Sequence, residues 1–128
     1  MDSIVHFEIP AKNVNRASKF YSSAFGWKIE KYPGFSYWGL TTTPTGKNGM
    51  PSKPGAINGG IGKKGKNAPD LVTVTIQVKN IDSALKTVAK LGGKVTEKKT
   101  PVGDMGFTAY FSDTEGNVIG LYQSNRKR

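Results

Sequence analysis

Two residues near the start of the chain have side chains that could carry out acid–base chemistry. His6 is the only histidine, and Glu8 follows two positions later, which puts both on the same face of an extended strand. A carboxylate beside an imidazole can orient the ring, so this pair could transfer a proton. The alternative is a hydrogen-bonded histidine in the wall of an ordinary pocket. We favour the alternative, because a lone histidine is a weak catalytic signature.

Seven other residues are candidates for contacts with a ligand, because polar and aromatic side chains on strands can wall a small-molecule pocket. They are Thr73, Thr75, Gln77, Asn58, Trp38, Tyr110 and Tyr122. Tyr37 lies on the same predicted strand as Trp38. Side chains alternate along a strand, so about half of the aromatic residues should face the helices as core. For Thr73, Thr75 and Gln77, the alternative is the solvated face of a strand.

A repeat in the sequence predicts the elements that position these residues. Two segments align without a gap: Ala11–Lys31 and Val78–Lys98. In each copy an asparagine, Asn13 or Asn80, is suited to cap a helix start. Apolar residues at helical spacing follow, and then a glycine, Gly26 or Gly93, at the position of a left-handed C-terminal cap. Each copy therefore predicts one short helix with a single apolar face.

The strand before each helix shows clear alternation. In the first copy Val5, Phe7 and Ile9 should face the helix, which leaves His6 and Glu8 on the other face. Three further strands follow each helix. The sequence therefore predicts an α+β fold of two tandem βαβββ modules, with the helices on one side of a mixed sheet.

We expect the two modules to form a single domain, because a half of about sixty residues is marginal alone. Their predicted bounds are residues 1–64 and 70–125, with a linker at residues 65–69.

Composition restricts the class of protein further. The formal net charge is +10 and there is no cysteine, so disulfides and thiol catalysis are excluded. The N-terminus has no basic segment followed by a long apolar run, and we expect a cytoplasmic protein without a membrane partner. The basic charge would favour nucleic acid, but the chain has no recognised binding motif and only three arginines. A solvated basic surface is favoured over a nucleic-acid site.

The duplicated pattern resembles the vicinal oxygen chelate superfamily, which includes glyoxalase I, bleomycin-resistance proteins and extradiol dioxygenases. The similarity covers nearly the whole chain and is carried by four segments: His6–Pro10, Arg16–Tyr21, Phe25–Ile29 and Asp113–Tyr122. Asn58, with Gly59 and Gly60 after it, is typical of a branch of glyoxalase-related predicted enzymes. The resemblance implies paired modules whose sheet curves around a cavity, and commonly a homodimer.

The resemblance also implies where a metal would bind. Metal enzymes of the superfamily commonly place histidines on the first strands of the modules and glutamates on the fourth strands. His6 matches one of these positions, whereas the other first-strand position is Thr73. The fourth-strand positions fall at Gly120 and near Asn58 or Gly60. We therefore predict no cofactor and no metal held by the usual ligand set, although a divalent metal at His6 stays open.

These observations predict a protein that binds a small organic molecule in the sheet cavity. A first alternative is a lyase, isomerase or dioxygenase that uses His6 and Glu8, with or without a weakly bound metal. A second is a basic nucleic-acid-binding or interaction module. Glyoxalase I activity itself is not expected, because it needs a metal and carboxylate ligands that the pattern lacks.

Overall fold

The computed structural model describes residues 1–64 and 70–125, so the predicted linker at residues 65–69 lies outside the described residues. Within these residues, two helices and eight strands follow the order βαβββ twice, which confirms the predicted α+β class. The elements are β1 (Ile4–Ala11), α1 (Val14–Phe25), β2 (Lys28–Lys31), β3 (Tyr37–Thr41), β4 (Asn58–Lys63), β5 (Thr73–Gln77), α2 (Ile81–Lys90), β6 (Lys94–Pro101), β7 (Gly106–Ser112) and β8 (Val118–Ser124).

The chain forms two compact units. The first unit is His6–Val72, and the second unit combines Met1–Val5 with Thr73–Arg128. Strand β1 begins in the second unit and continues into the first, so the observed division differs from a simple cut between the two repeats. The single-domain organisation with modules at 1–64 and 70–125 stays a prediction.

In the first unit the strands lie in the order β2-β3-β4-β1. Strands β1 and β4 are parallel, and β2, β3 and β4 are successively antiparallel. Phe7 and Ile9 pack with α1 against a core of buried apolar residues, as the alternation of β1 predicts. That core consists of Ala11, Val14, Leu40 and Ile61. His6 and Glu8 therefore lie on the opposite face of the sheet from α1.

The second unit repeats this arrangement, with strands in the order β5-β8-β7-β6. Strand β5 is parallel to β8, and β7 is antiparallel to both β8 and β6. Its core contains Val78, Ile81, Ala109 and Leu121, with Leu85 of α2 packed against them. Thr73, Thr75 and Gln77 alternate with residues that face α2.

The helix starts agree with the sequence, but one helix end does not. The Asn13 side chain accepts a hydrogen bond from the Arg16 N–H, and Asn80 accepts one from the Ser83 N–H, each at 2.9 Å. Gly26 closes α1 in the left-handed conformation, with φ of 74°. The prediction that Gly93 plays this part for α2 is wrong, because the residue with positive φ is Gly92.

Gly93 has a different role, which explains why a glycine stands there. A Cβ on Gly93 would lie 2.6 Å from Val88 Cγ1 and 2.9 Å from the Ser112 carbonyl oxygen. The glycine thus allows the end of α2 to approach β7 closely.

Neither α1 nor α2, the helices of residues 1–64 and 70–125, is long and apolar enough to cross a membrane.

Candidate functional site

His6 and Glu8 lie side by side on the face of the first unit that is turned away from α1. In the register of β1 with β4, His6 is the Cα partner of Asn58 and Glu8 is the partner of Gly60. Glu8 is only 6% exposed, whereas His6 is half-buried. A carboxylate and an imidazole withdrawn from water on one sheet face are what a recognition site needs, because burial strengthens polar interactions.

The direct partner of His6 is a tyrosine from β3. The Tyr37 hydroxyl lies 2.8 Å from His6 Nε2, and the two rings are stacked with centroids 6.4 Å apart. Burial lowers the pKa of His6 to about 4, so the imidazole is neutral at physiological pH. Burial, and then the negative charge of Glu8 and the neighbouring Tyr32, raises the pKa of Tyr37 far above its usual value. The pair is therefore a neutral imidazole and a neutral phenol.

Tyr37 can reach His6 because a glycine lies beneath its ring. A Cβ on Gly60 would overlap the Tyr37 hydroxyl and the adjacent ring carbons. On the other side, Tyr32 stacks on Tyr37, with ring centroids 5.8 Å apart and an angle of 20° between the planes. Gly39 leaves room for the Tyr32 ring, which lies 3.4 Å from the position of its Cβ. Glycines on the neighbouring strands β3 and β4 thus leave the space in which the two stacked tyrosine rings lie.

The aromatic candidate on β3 has to be reassigned. Trp38 pairs with Ile61 and packs against the apolar core beside α1, so it lies on the opposite face from His6. Tyr37, one position earlier, is on the His6 face. The sequence showed both residues but could not fix the register of this strand, and a shift of one residue exchanges the two faces.

Asn58 lies next to His6 in the register, but its side chain has a structural partner. Asn58 Oδ1 accepts a hydrogen bond from the Thr42 N–H at 2.9 Å. The Thr42 hydroxyl in turn donates to the Ile57 carbonyl oxygen at 2.6 Å. Asn58 therefore fastens the end of β3 to the start of β4.

The second unit has a corresponding polar face on β5. Thr73 is 1% exposed and Thr75 is 4% exposed, so neither hydroxyl is on a solvated surface. Thr75 pairs with Gly120 of β8, and Gly120 pairs with Tyr110 of β7. A Cβ on Gly120 would lie 2.8 Å from Thr75 Oγ1 and 3.2 Å from Tyr110 Cε1. The structure thus brings Thr75 and Tyr110 together over a glycine.

Within residues 1–64 and 70–125, the buried Thr75 hydroxyl has no hydrogen-bond partner. Of the other two candidates of this unit, Tyr122 has a side chain that is already hydrogen-bonded within the protein. The Tyr122 hydroxyl donates to the Met105 carbonyl oxygen at 2.6 Å, which ties β8 to the turn before β7. Gln77 is half-buried, and its backbone N–H donates to the Ser3 carbonyl oxygen at 3.0 Å, which fixes the strand and leaves its side-chain amide as a candidate.

Comparison with known proteins places this arrangement in a family. The family model for the Glyoxalase/Bleomycin resistance protein/Dioxygenase superfamily matches residues 3–121. The chain belongs to this superfamily. A glyoxylase-like domain-containing protein of Didymella fabae is 33% identical over 118 residues, which are 89% of this chain and 88% of that protein.

Two further proteins to which the chain is similar are less alike in sequence, and one of them is longer. CFP32 of Mycobacterium bovis is 29% identical over 125 residues, which are 93% of this chain but 44% of that protein. The chain thus spans less than half the length of this relative. The solved complex of methylmalonyl-CoA epimerase from Streptomyces coelicolor with 2-nitronate-propionyl-CoA superposes with a TM-score of 0.65 at 15% identity, over 96% of this chain and 97% of the epimerase. This likeness shows the fold.

Residues at the metal positions of the superfamily do not fit a metal site. In the first unit His6 Nε2 is bonded to Tyr37, and Gly60 has no room for a carboxylate side chain. In the second unit the two positions hold Thr73 and Gly120. Across residues 1–64 and 70–125, no three His, Cys, Asp or Glu side chains are grouped so that they could hold a metal ion. The space that a ligand side chain would need is taken by the Tyr37 ring at Gly60, and by Thr75 and Tyr110 at Gly120.

A separate cavity of about 610 Å³ lies on the helix side of the first unit. Phe7, Ile9 and Trp27 line it together with Thr42 and Val72. It is open and mostly apolar, and none of the predicted site residues takes part in it. The polar residues His6, Glu8 and Tyr37 therefore lie on the opposite face of the sheet from this apolar cavity.

Proposed function

We propose that this chain binds a small organic molecule on the His6 face of the first unit, without a metal held by the ligand set of the superfamily. One observation carries the proposal: His6 and Tyr37 are hydrogen-bonded beside the buried Glu8, on the sheet face that does not pack against α1. Withdrawing such groups from water is unfavourable unless they are paired or used. Clusters of this kind are frequent at functional sites.

Membership in the superfamily supports a small-molecule function over a nucleic-acid module. The Streptomyces coelicolor epimerase has a small molecule bound on the same fold. The Thr75 hydroxyl and Tyr110 of the second unit are candidates for further contacts. A cytoplasmic location remains a prediction from the sequence.

Proton transfer by His6 and Glu8 is the alternative function, and the lowered pKa of His6 argues against it. A general base works best when its pKa is close to the operating pH. The pKa of His6 is lowered to about 4 by burial, so the neutral imidazole is a weak base at pH 7. A hydrogen-bonding role suits it better. Glyoxalase I activity needs a metal held by carboxylate ligands, which this chain lacks at the family positions. Turnover of a hemithioacetal with added zinc or nickel is therefore not expected above the metal-free background.

The test is a thermal-shift screen of a metabolite library, followed by titration of each hit. A ligand at a hundred times its Kd should stabilise the protein by about 2.7 kcal/mol. This shift should disappear in His6→Ala and persist in Asn15→Ala, a control on the exposed surface of α1. The proposal is wrong if hits stabilise wild type and His6→Ala equally.

We also propose a homodimer, and an exposed aromatic cluster on α1 supports it. Phe20 is 60% exposed and Phe25 is 63% exposed, and their ring centroids lie 6.5 Å apart. Burial of such aromatic surface is favourable. Sedimentation velocity should show a dimer for wild type and a monomer for the double variant Phe20→Ser, Phe25→Ser. A monomeric wild type would refute this.

A further inference from the structure

The hydrogen bond between His6 and Tyr37 determines which nitrogen of His6 carries the proton. Within residues 1–64 and 70–125, the Tyr37 hydroxyl makes one hydrogen bond, to His6 Nε2 at 2.8 Å. A phenol has one proton to donate, and a buried hydroxyl that donated to nothing would be unfavourable. Tyr37 must therefore donate to Nε2. A neutral imidazole has one protonated nitrogen, so the proton of His6 is on Nδ1.

The Nδ1–H group is the free donor of this site. His6 has no other hydrogen bond within the described ranges, 1–64 and 70–125. His6 is half-buried, and Nδ1 is not among the fully buried polar atoms that lack a partner in those ranges, so this nitrogen keeps some contact with solvent. Such an N–H donates to water in the free protein, and it is available to a hydrogen-bond acceptor of a ligand that displaces this water.

The surroundings restrict the charge of that acceptor. Glu8 is 6% exposed, and its negative charge contributes to the raised pKa of Tyr37. An anionic ligand would have to approach this carboxylate where water screens it poorly. A neutral acceptor, such as the oxygen of an amide or ketone, avoids the repulsion. Tyr32 is 38% exposed and stacked on Tyr37, which favours a flat, unsaturated molecule beside that oxygen.

Resting on the proposed binding function, we propose that the ligand of this site is a neutral, flat molecule with a carbonyl-type acceptor that receives the hydrogen bond of His6 Nδ1–H. Tyr37 is then a positioning residue, because it acts on the ligand through His6. The specificity of the site depends on which ring nitrogen is protonated.

The first measurement is the protonation pattern of His6 by proton–nitrogen correlation NMR. Because the chain has a single histidine, its two ring nitrogens can be assigned without ambiguity. Wild type should show the proton on Nδ1. Tyr37→Phe keeps the ring but removes the donor, so the Nε2-protonated form should become populated. Tyr32→Phe is the matched control and should leave the pattern unchanged. A wild type protonated on Nε2 would overturn the inference.

The second measurement uses three probes of the same shape: benzamide, benzoate and benzylammonium. Benzamide and benzoate can both accept a hydrogen bond from Nδ1–H, but benzamide should bind about tenfold more tightly and shift the Nδ1–H resonance, because it avoids repulsion from the Glu8 carboxylate. Tyr37→Phe should weaken benzamide binding and abolish the shift of Nδ1–H, because the Nε2-protonated ring has no proton on Nδ1 to donate. Benzylammonium has no acceptor and should not shift Nδ1–H.

These outcomes separate the two proposals. If benzoate or benzylammonium binds at His6 as well as benzamide does, the ligand class is wrong but a binding site exists. If no probe and no metabolite perturbs the resonances of this face, the proposed function itself fails there, whatever the protonation of His6.

Discussion

His6 makes the stability of the protein depend on pH, since burial lowers its pKa to about 4 from 6.5. Between these values the unfolded chain binds more protons than the folded one, so stability rises with pH in this window and is constant above it as far as His6 is concerned. Allowing for solvent screening of a half-buried ring, we expect a loss of about 2 kcal/mol between pH 6.5 and pH 4.

The check is urea denaturation at several pH values, compared with His6→Gln. Carboxylates also titrate in this range, so the difference between wild type and variant isolates the histidine. A difference that is independent of pH would show that the pKa of His6 is not lowered.

Gly60 is predicted to hold Tyr37 in place through the absence of its side chain. In Gly60→Ala the new methyl group overlaps the Tyr37 hydroxyl, so the ring must move and the bond to His6 breaks. We expect a loss of about 1–3 kcal/mol and a His6 pKa that moves up towards 6.5. Denaturation and an NMR titration measure both.

Gly39→Ala is the matched control, because its Cβ would lie 3.4 Å from the Tyr32 ring, an ordinary contact. It should leave the His6 pKa unchanged. If Gly60→Ala also leaves it unchanged, the packing of Tyr37 over Gly60 does not control His6.

Thr75 offers a test of an unsatisfied polar group. Its hydroxyl is buried without a hydrogen-bond partner within residues 1–64 and 70–125. Thr75→Val keeps the shape and removes the desolvated oxygen, so the free protein should gain about 1 kcal/mol in stability. Thermal denaturation measures this. The reverse change at the neighbouring position, Val74→Thr, is the control and should destabilise the protein. A loss of stability in Thr75→Val would indicate that the Thr75 hydroxyl has a hydrogen-bond partner.

At the scale of elements, the two helices should depend equally on their caps. Asn13 and Asn80 each accept a hydrogen bond from the third residue beyond them at 2.9 Å. Asn13→Ala and Asn80→Ala should each lower stability by about 1 kcal/mol. Asn15→Ala, inside α1, is the control and should not destabilise, because alanine favours helix. Chemical denaturation measures the stability of each variant. If all three variants are as stable as wild type, the two asparagine caps do not stabilise the helices.

For the whole molecule, we expect one cooperative unfolding transition. A unit of about sixty residues is marginal alone, and β1 supplies residues to both units. Ala17→Pro in α1 and Ala84→Pro in α2 each break a helix and should cost about 3 kcal/mol or more. Calorimetry and hydrogen exchange should show that either change lowers the stability of all strands together. A variant with one unit folded and the other unfolded would refute this prediction.

Local patterns in the sequence were sufficient to predict the order of the elements and the faces of the first strands. Alternation placed His6 opposite Phe7, and duplicated caps placed both helices, because these signals depend only on periodicity and on local hydrogen bonds. The same local information could not decide between Tyr37 and Trp38, since the register of β3 is set by its pairing with β4.

The chemistry of the candidate site depends on contacts between strands that are far apart in the sequence. The sequence paired His6 with Glu8, but the hydrogen-bond partner of His6 is Tyr37, thirty-one positions away. Gly60 gave no sign of its role, because a glycine that makes space for a side chain from another strand has no local signature. The charge of His6 also depended on burial, and burial is a property of the folded chain.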